Sequence, residues 1–206
     1  MTTVGRWSPN KVRARVLDGT WVSPAEELGG MVLLTPTSIA HTGTSATIGA
    51  NGSVTFSAVT SLSLNGVFSA DYDNYLITMR AVGNTASDVR LRMRVSGTDN
   101  STASSYVLQY LEASGTSVAG ARTTTDSAAV FTTSNTQRDG MLLHIFGPYL
   151  SQPTAMRTAG VMGYLNAYVQ DKAATHNQST SYDGFTLFHS SNNMTGLISV
   201  YGLVGA

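Results

Sequence analysis

The amino-acid sequence predicts an all-β fold, an antiparallel, jelly-roll-like β-sandwich with an extended N-terminal arm. Three observations lead to this prediction. Apolar and polar residues alternate with a period of two in several segments, as they do in half-buried strands. Ser and Thr together make up 51 of the 206 residues and Gly another 20, a composition that suits short strands joined by frequent turns. The second half of the chain contains no apolar stripe at the 3.6-residue period of a helix.

The charge and cysteine content exclude several classes of function. Twelve basic residues balance twelve acidic ones, so the chain has no overall field that would attract nucleic acid or an anionic membrane. Cysteine is absent, which excludes disulfides, thiolate zinc sites and cysteine nucleophiles. The longest apolar runs, such as residues 31–34 and 141–143, are far too short to span a bilayer. The N-terminus has no apolar signal core, so synthesis in the cytoplasm without membrane insertion is expected.

Residues 1–34 are predicted to form the N-terminal arm, because their composition differs from that of the rest of the chain. Both tryptophans and four of the twelve basic residues lie here. The residues concerned are Arg6, Trp7, Lys11, Arg13, Arg15 and Trp21. A short helix over residues 23–28, with Ser23 as its N-cap, is one interpretation of the second half of the arm. An edge strand, or a tail that becomes ordered only against a partner, is the alternative.

The sandwich domain is predicted to cover residues 53–206. Before it, residues 35–52 form either a linker or an irregular first strand that ends at the Asn51-Gly52 turn signal. About nine strands are predicted, separated by clusters of Gly, Asn, Asp and Ser. They lie near residues 53–58, 75–81, 89–95, 106–111, 128–132, 141–146, 155–164, 185–188 and 197–203.

The clearest strand pattern covers residues 89–95. Four apolar residues alternate there with Arg90, Arg92 and Arg94, and a strand places all three arginines on one face. We expect this face to be solvated. A salt bridge between subunits is an alternative, and a site for a phosphate, an anionic glycan or an acidic neighbour is another.

No metal site or catalytic residue is predicted. Asp71, Asp73 and Asn74 lie close together, but the calcium-loop pattern is missing, so a turn with Asx hydrogen bonds is favoured. The histidines occur in separate contexts, and His144, within an apolar run, is expected to be packed or at an interface. The four are His41, His144, His176 and His189. Since no nucleophile, phosphate-loop or dinucleotide motif is present, we expect neither a cofactor nor an enzymatic activity.

Tyrosine is the residue type that suggests a ligand. The chain has nine tyrosines, whose flat faces can stack on sugar rings but are equally common in strands and interfaces. Tyr168 and Tyr182 bracket a segment rich in Gln, Asn, Ser and Thr, which we interpret as a loop suited to hydroxyl recognition. These two residues are the predicted glycan contacts. Tyr106, Tyr110 and Tyr164 are further candidates.

Four segments resemble a known class of protein. Residues 49–56 (GANGSVTF), 62–68 (LSLNGVF) and 71–77 (DYDNYLI) resemble a recurring opening of bacteriophage virion β-domains. Residues 194–203 (MTGLISVYGL) are similar to the last strand of those domains. Together the segments bracket residues 49–203, and they are strand-and-turn patterns without a catalytic signature.

The resemblance implies a virion structural protein of the tail-fibre or minor-tail type. Such proteins attach to the particle through an N-terminal segment, which here would be the arm with its six basic and aromatic residues, and carry an outward β-domain. They are often homotrimers, so the implied partners are copies of the chain, further proteins of the tail or capsid and, if the domain binds a receptor, a host cell-surface glycan. The same resemblance also fits a capsid decoration or head fibre without receptor binding and, less well, a glycan-cleaving virion enzyme. The chain has no coiled-coil or repetitive shaft, which favours a short knob or a decoration subunit over a long fibre.

Overall fold

The protein is described by a computed structural model over residues 30–134, 136–162, 168–189 and 191–205. This part of the chain is all-β, and every strand pairing in it is antiparallel. The strands are β1 (Met31–Leu34), β2 (Ser38–Ile48), β3 (Val54–Asn65), β4 (Asn74–Gly83), β5 (Ser87–Val95), β6 (Thr98–Asp99), β7 (Tyr106–Ser114), β8 (Ser117–Asp126), β9 (Ala129–Ser134), β10 (Asp139–Phe146), β11 (Thr154–Met162), β12 (Tyr168–His176), β13 (Gly184–His189) and β14 (Met194–Leu203).

The strands form one long curled sheet with the order β6-β5-β13-β3-β14-β4-β10-β11-β12-β7-β8. Three further strands are added beside this path, since β1 pairs with β14, β2 with β3 and β9 with β5. The sheet closes over itself, because β9 contacts β11, β12 and β7 across the interior. The predicted all-β, antiparallel, sandwich-like fold is therefore confirmed.

The core lies between the two facing parts of this sheet, and period-two alternation builds it. On β4, Tyr75, Ile77 and Met79 point inward and are at most 3% exposed. On β5, Leu91 and Met93 are likewise buried, as the alternation in residues 89–95 predicts. Burying a large apolar side chain stabilises the fold by about 1.5–3 kcal/mol, so these rows hold the two halves of the sheet together.

The sheet begins earlier in the sequence than predicted. Residues 35–52 are not a linker, because Ser38–Ile48 pairs with β3 along nearly its whole length. The last residues of the predicted arm, Met31–Leu34, form β1 and pair with β14. The alternation of β2 is hidden in the sequence because this strand is mostly exposed and built from small residues. The alternative prediction, an irregular first strand, agrees with the bulge that β2 has at Gly43. Gly43 has a φ of +125°, and a Cβ at this position would lie 2.2 Å from the Ala58 carbonyl oxygen.

The remainder of the arm, residues 1–29, lies outside the described residues. The predicted helix over residues 23–28 lies there too, as do all six predicted anchoring residues. Within the residues that the structure describes, no helix has the length and apolarity needed to cross a membrane.

Candidate functional site

The arginine row of β5 is not a bare solvated face, because each arginine has a partner within the chain. The Arg94 guanidinium forms an ion pair with Asp99 and donates a hydrogen bond of 2.7 Å from Nε to Asn65 Oδ1. Arg92 lies with its guanidinium carbon 4.6 Å from the centroid of the Phe188 ring. Arg90 lies 3.6 Å from a carboxylate oxygen of Asp88.

Arg92 is held further by Ser127, whose carbonyl oxygen accepts a hydrogen bond of 3.1 Å from its Nε atom. The guanidinium groups of Arg92 and Arg94 are therefore engaged by the chain's own side chains and carbonyls, whereas Arg90 is 32% exposed and its Nε has no hydrogen-bond partner among the described residues. The prediction that this face is solvated is wrong for Arg94, because only 13% of its side chain is exposed.

Tyr182 cannot contact a glycan with its ring, because it is fully buried. Its hydroxyl lies 2.6 Å from His176 Nε2 and accepts a hydrogen bond of 2.8 Å from Asn100 Nδ2. His176 stacks on Tyr106 with ring centroids 4.1 Å apart, and its Nδ1 lies 3.1 Å from the Ser105 carbonyl oxygen. This cluster of rings joins three loop and strand ends, so its role is structural.

Burial governs the protonation of these groups. It raises the pKa of the Tyr106 phenol well above its usual range and also raises the pKa of Tyr182. It lowers the pKa of His176 below its usual range, against a smaller opposing effect of the hydrogen bond to Ser105. A neutral imidazole also satisfies the geometry, because Nδ1–H can donate to Ser105 while Nε2 accepts from the Tyr182 hydroxyl.

Tyr168, the other predicted glycan contact, is half-buried at the start of β12, opposite Met162 of β11. The predicted loop is a strand up to His176, with alternating inward and outward residues, and only residues 177–183 form a loop. Tyr106 and Tyr110 point into the sandwich or pack against it. Tyr164 lies outside the described residues. The structure therefore does not bring the described candidates, Tyr106, Tyr110, Tyr168 and Tyr182, together into an exposed platform.

A polar recess of about 400 Å³ lies beside Tyr182, between the turn after β5 and the loop before β13. It is lined by Val95, Thr98, Asp99, Asn100, Ser101, Thr102, Thr180 and Tyr182. Hydroxyls and one amide dominate the lining. Part of this polarity is already engaged, since Asn100 Oδ1 accepts a hydrogen bond of 3.1 Å from the Thr102 amide.

A turn is present at Asp71, and the side chain that accepts from its backbone is Ser69 rather than the predicted Asx residue. Ser69 Oγ donates a hydrogen bond of 3.0 Å to Asp71 Oδ2, and the Asp71 amide donates one of 3.3 Å back to Ser69 Oγ. The described part of the chain has no cluster of His, Cys, Asp or Glu that could hold a metal ion.

The histidines occupy four separate environments. His41 is exposed on β2, and His144 is half-buried on β10 with its ring stacked 6.1 Å from that of Phe146. His189 is buried, and its Nδ1 accepts a hydrogen bond of 3.1 Å from the Asn192 amide. Burial lowers the pKa of His189, against the opposing charge of Asp88. These placements separate the four rings instead of gathering them into a proton-transfer site.

Lys172 is the most unusual polar side chain of the interior. It points inward from β12, is 5% exposed, and has its Nζ 5.9 Å from the centre of the Tyr110 ring. Burial lowers the pKa of its ammonium group, against the charges of Asp88 and Glu112. Gln170 lies beside it and donates a hydrogen bond of 2.9 Å to Glu112 Oε2. This polar layer lies between β9 and β12.

A broad apolar surface covers the solvent side of β10, β11, β12, β7 and β8, and we call it the outer apolar face. Cross-strand pairing places its members on one side of the sheet. They are Leu142 and Phe146 of β10, Val161 of β11, Val169 of β12, Leu111 of β7 and Val118 of β8, each between 42% and 75% exposed. A contiguous exposed apolar surface on a folded domain marks an interaction site more often than a neutral one.

The outer apolar face contains two depressions. Small residues at Gly140 and Ala159 leave a groove of about 510 Å³ between the side chains of Leu142 and Val161. A second hollow of about 380 Å³, lined by Leu142, His144, Phe146, Arg157 and Ala159, continues it along the strands. The face also carries an ion pair, with Arg157 Nη2 2.6 Å from Asp171 Oδ2.

Sequence reasoning missed this surface, although one signal for it exists. In β10, Met141, Leu143 and Ile145 point inward, yet two of the residues that point outward, Leu142 and Phe146, are also apolar. A strand that is apolar on both faces indicates that both faces meet something apolar. The chain matches no protein-family model and no curated protein, so these comparisons do not identify a partner for this face.

Proposed function

We propose that this chain is a non-enzymatic structural protein of a bacteriophage virion, of the tail-fibre or minor-tail type. Its N-terminal arm attaches it to the particle, the β-sandwich points outward, and copies of the chain assemble with one another as a homotrimer. The virion is its place of action, and further proteins of the tail or capsid are its partners. The observation that carries the proposal is the outer apolar face, because a large apolar surface on a chain with 12% charged residues favours packing against other protein.

The position of the segments that resemble phage virion domains supports the proposal. Residues 49–56 and 62–68 belong to β3 and its flanks, residues 71–77 lead into β4, and residues 194–203 are β14. β14 pairs with β3 on one side and with β4 on the other. The segments are far apart in sequence but adjacent in space, so the resemblance concerns one folded unit.

The engagement of the chain's charges within the fold supports a non-enzymatic role. Asp88, Asp99 and Asp171 are paired with arginines, and the buried His176 is held by Tyr182. Reducing ends released from host polysaccharide by the purified protein would overturn this part of the proposal.

Attachment through the arm is tested by truncation. A variant that lacks residues 1–30 should remain folded and oligomeric but should be absent from particles purified from an infected culture. The full-length chain, carrying the same tag, is the control and should co-purify with the particles. Incorporation of the truncated chain at the level of the control would overturn the anchoring role of the arm.

A receptor-binding tip is the second candidate function, and the polar recess beside Tyr182 favours it. Its hydroxyl and amide lining suits sugar hydroxyls better than apolar ligands. Labelled protein should then adsorb to host cells, and Ser101→Trp, which fills the recess, should reduce adsorption while Thr44→Trp on the exposed β2 should not. A capsid decoration or head fibre without receptor binding would instead show no adsorption with any of the three proteins.

A further inference from the structure

We propose that the outer apolar face binds a second copy of this chain, with a ridge on one copy lying in the groove of the next. The ridge is formed by Leu111, Val118 and Val169, and the groove is the 510 Å³ depression over Gly140 and Ala159. This inference rests on the proposed structural role and names the surface through which copies meet.

The ridge is the most exposed apolar part of the described chain. Val118 is 75% exposed, Val169 58% and Leu111 57%, although each has a branched side chain that water solvates poorly. All three lie on β7, β8 and β12, at one end of the sheet. They project from a strand surface whose neighbouring positions include the small residues Ala113 and Gly120.

The groove lies toward the other end of the same face. Its floor is made by Gly140 of β10 and Ala159 of β11, and the residues around the floor include Leu142, Val161, Leu197 and Arg80. A Cβ added to Gly140 would have only Val161 Cγ1 near it, at 3.9 Å, so the floor is open above the strand. A branched apolar side chain is the kind of group that this depression can hold.

Because ridge and groove are different parts of one face, the surface is complementary to itself. A copy that places its ridge in a neighbour's groove still has its own groove free for another ridge. Such contacts close either as a two-fold pair, in which each copy gives and receives a ridge, or as a ring. A homotrimer is one such ring.

The area is sufficient for a stable contact. The face crosses five neighbouring strands from β10 to β8 in the sheet order, spaced about 4.8 Å apart, and each is about 30 Å long. It therefore covers roughly 600 Å² on one copy, which corresponds to the lower end of the roughly 1,200–2,000 Å² that two partners together bury in a stable interface.

The ion pair on the outer apolar face does not oppose such a contact, and the remaining charge among the described residues near the groove is that of Arg80, which lines it. Arg157 and Asp171 neutralise each other within one copy, since both Nε and Nη2 of Arg157 donate to the carboxylate of Asp171. The whole chain has a formal net charge of zero, so two copies are not driven apart by a net field.

Disulfide cross-linking tests this contact directly, because the chain has no cysteine of its own. Val118→Cys marks the ridge and Ala159→Cys marks the groove. Within one copy these positions are three strands apart, about 14 Å, which is too far for a disulfide. The full-length double variant should therefore form covalent dimers or trimers on oxidation. A mixture of the two single variants should form dimers that contain one of each.

The matched control replaces the groove cysteine by Thr44→Cys on the exposed strand β2, and it should cross-link far less. Val169→Asp should also reduce the oligomer to the mass of a single chain in light scattering, with an unchanged circular dichroism spectrum. Equal cross-linking of groove and control variants, or an oligomer that survives Val169→Asp, would overturn the contact. A monomer that forms no disulfide between copies would also overturn the contact. In that case the outer apolar face would be covered by the chain's own residues 1–29.

The two proposals fail in distinguishable ways. If the truncated chain fails to enter particles and the cysteine variants do not cross-link, this contact alone is wrong. Cross-linking in a protein that never enters particles would overturn the virion role alone.

Discussion

The hydroxyl oxygen of Tyr182 lies 2.6 Å from His176 Nε2, at the centre of a buried cluster that closes one end of the sandwich. The same hydroxyl accepts from Asn100 Nδ2 at 2.8 Å, so it joins the loop before β13 to β12 and to the turn after β6. A hydroxyl that bonds a buried histidine and a half-buried asparagine is worth more to the fold than one that faces water.

Removing this hydroxyl should destabilise the protein. Tyr182→Phe keeps the ring in the core but leaves His176 Nε2 and Asn100 Nδ2 without their partner, which costs about 1–3 kcal/mol. The free energy of unfolding in urea measures the loss. Tyr149→Phe is the matched control, since Tyr149 is 38% exposed, and it should change stability by less than about 0.5 kcal/mol. Equal effects of the two substitutions would show that the Tyr182 hydroxyl is not buried in this cluster.

The buried histidines should make the fold less stable as the pH falls below the ordinary histidine pKa of about 6.5. Burial lowers the folded-state pKa of both His176 and His189, so in this range the unfolded chain binds protons that the folded chain rejects. Stability is therefore greatest above about pH 6.5. Below that pH, each histidine lowers the free energy of unfolding by at most about 1.4 kcal/mol per pH unit. The loss levels off below the folded-state pKa of the histidine.

Urea unfolding from about pH 8 to about pH 5.5 tests this dependence in a range where carboxylates stay ionised. His176→Gln and His189→Gln should each flatten the curve, and the double variant should flatten it most. A wild-type protein that becomes more stable on acidification over this range would contradict the burial of both rings.

The strands with one apolar face gave the clearest predictions from the sequence. Residues 89–95 alternate because β5 buries Leu91 and Met93 against the core, and β4 alternates for the same reason. β8 escaped prediction because nearly all of its residues are exposed, so no burial pattern marks it. β12 was not predicted because two of its inward positions are polar. Gln170 and Lys172 are buried while Val169 faces outward, so polar residues point inward and an apolar residue points outward.

The candidate sites were harder to predict than the fold. A tyrosine in a polar segment looks the same in sequence whether its ring is exposed or, like Tyr182, buried under a histidine. The arginine row was correctly placed on one face, but its partners Asp99, Ser127 and Phe188 come from other strands and loops. Such contacts depend on tertiary pairing, which local periodicity does not encode.

Breaking the pair of Arg94 with Asp99 should cost more than removing an exposed arginine. The Arg94 guanidinium also donates to Asn65 and Thr186, so Arg94→Met removes the donor of Asn65 Oδ1 and leaves the Asp99 carboxylate without its cation, with the hydrogen bond from Thr186 remaining. We expect a loss of about 2–3 kcal/mol in the free energy of unfolding. Arg138→Met, at an exposed position, is the control for the change in charge and should cost less than about 0.5 kcal/mol. A similar small loss for both would mean that the Arg94 pair is solvated.

The close approach of β13 to β3 predicts that Gly184 does not tolerate a side chain. A Cβ at this position would lie 2.1 Å from the Leu64 carbonyl oxygen, and backbone cannot move aside as a flexible side chain can. Gly184→Ala should therefore destabilise the protein by at least about 1–3 kcal/mol in urea unfolding. Gly160→Ala, whose added Cβ would lie at an ordinary contact distance of 3.5 Å from Met141 Cβ, should change stability by less than about 0.5 kcal/mol. If both substitutions are tolerated equally, the pairing of Phe185 with Leu64 that brings these strands together is wrong.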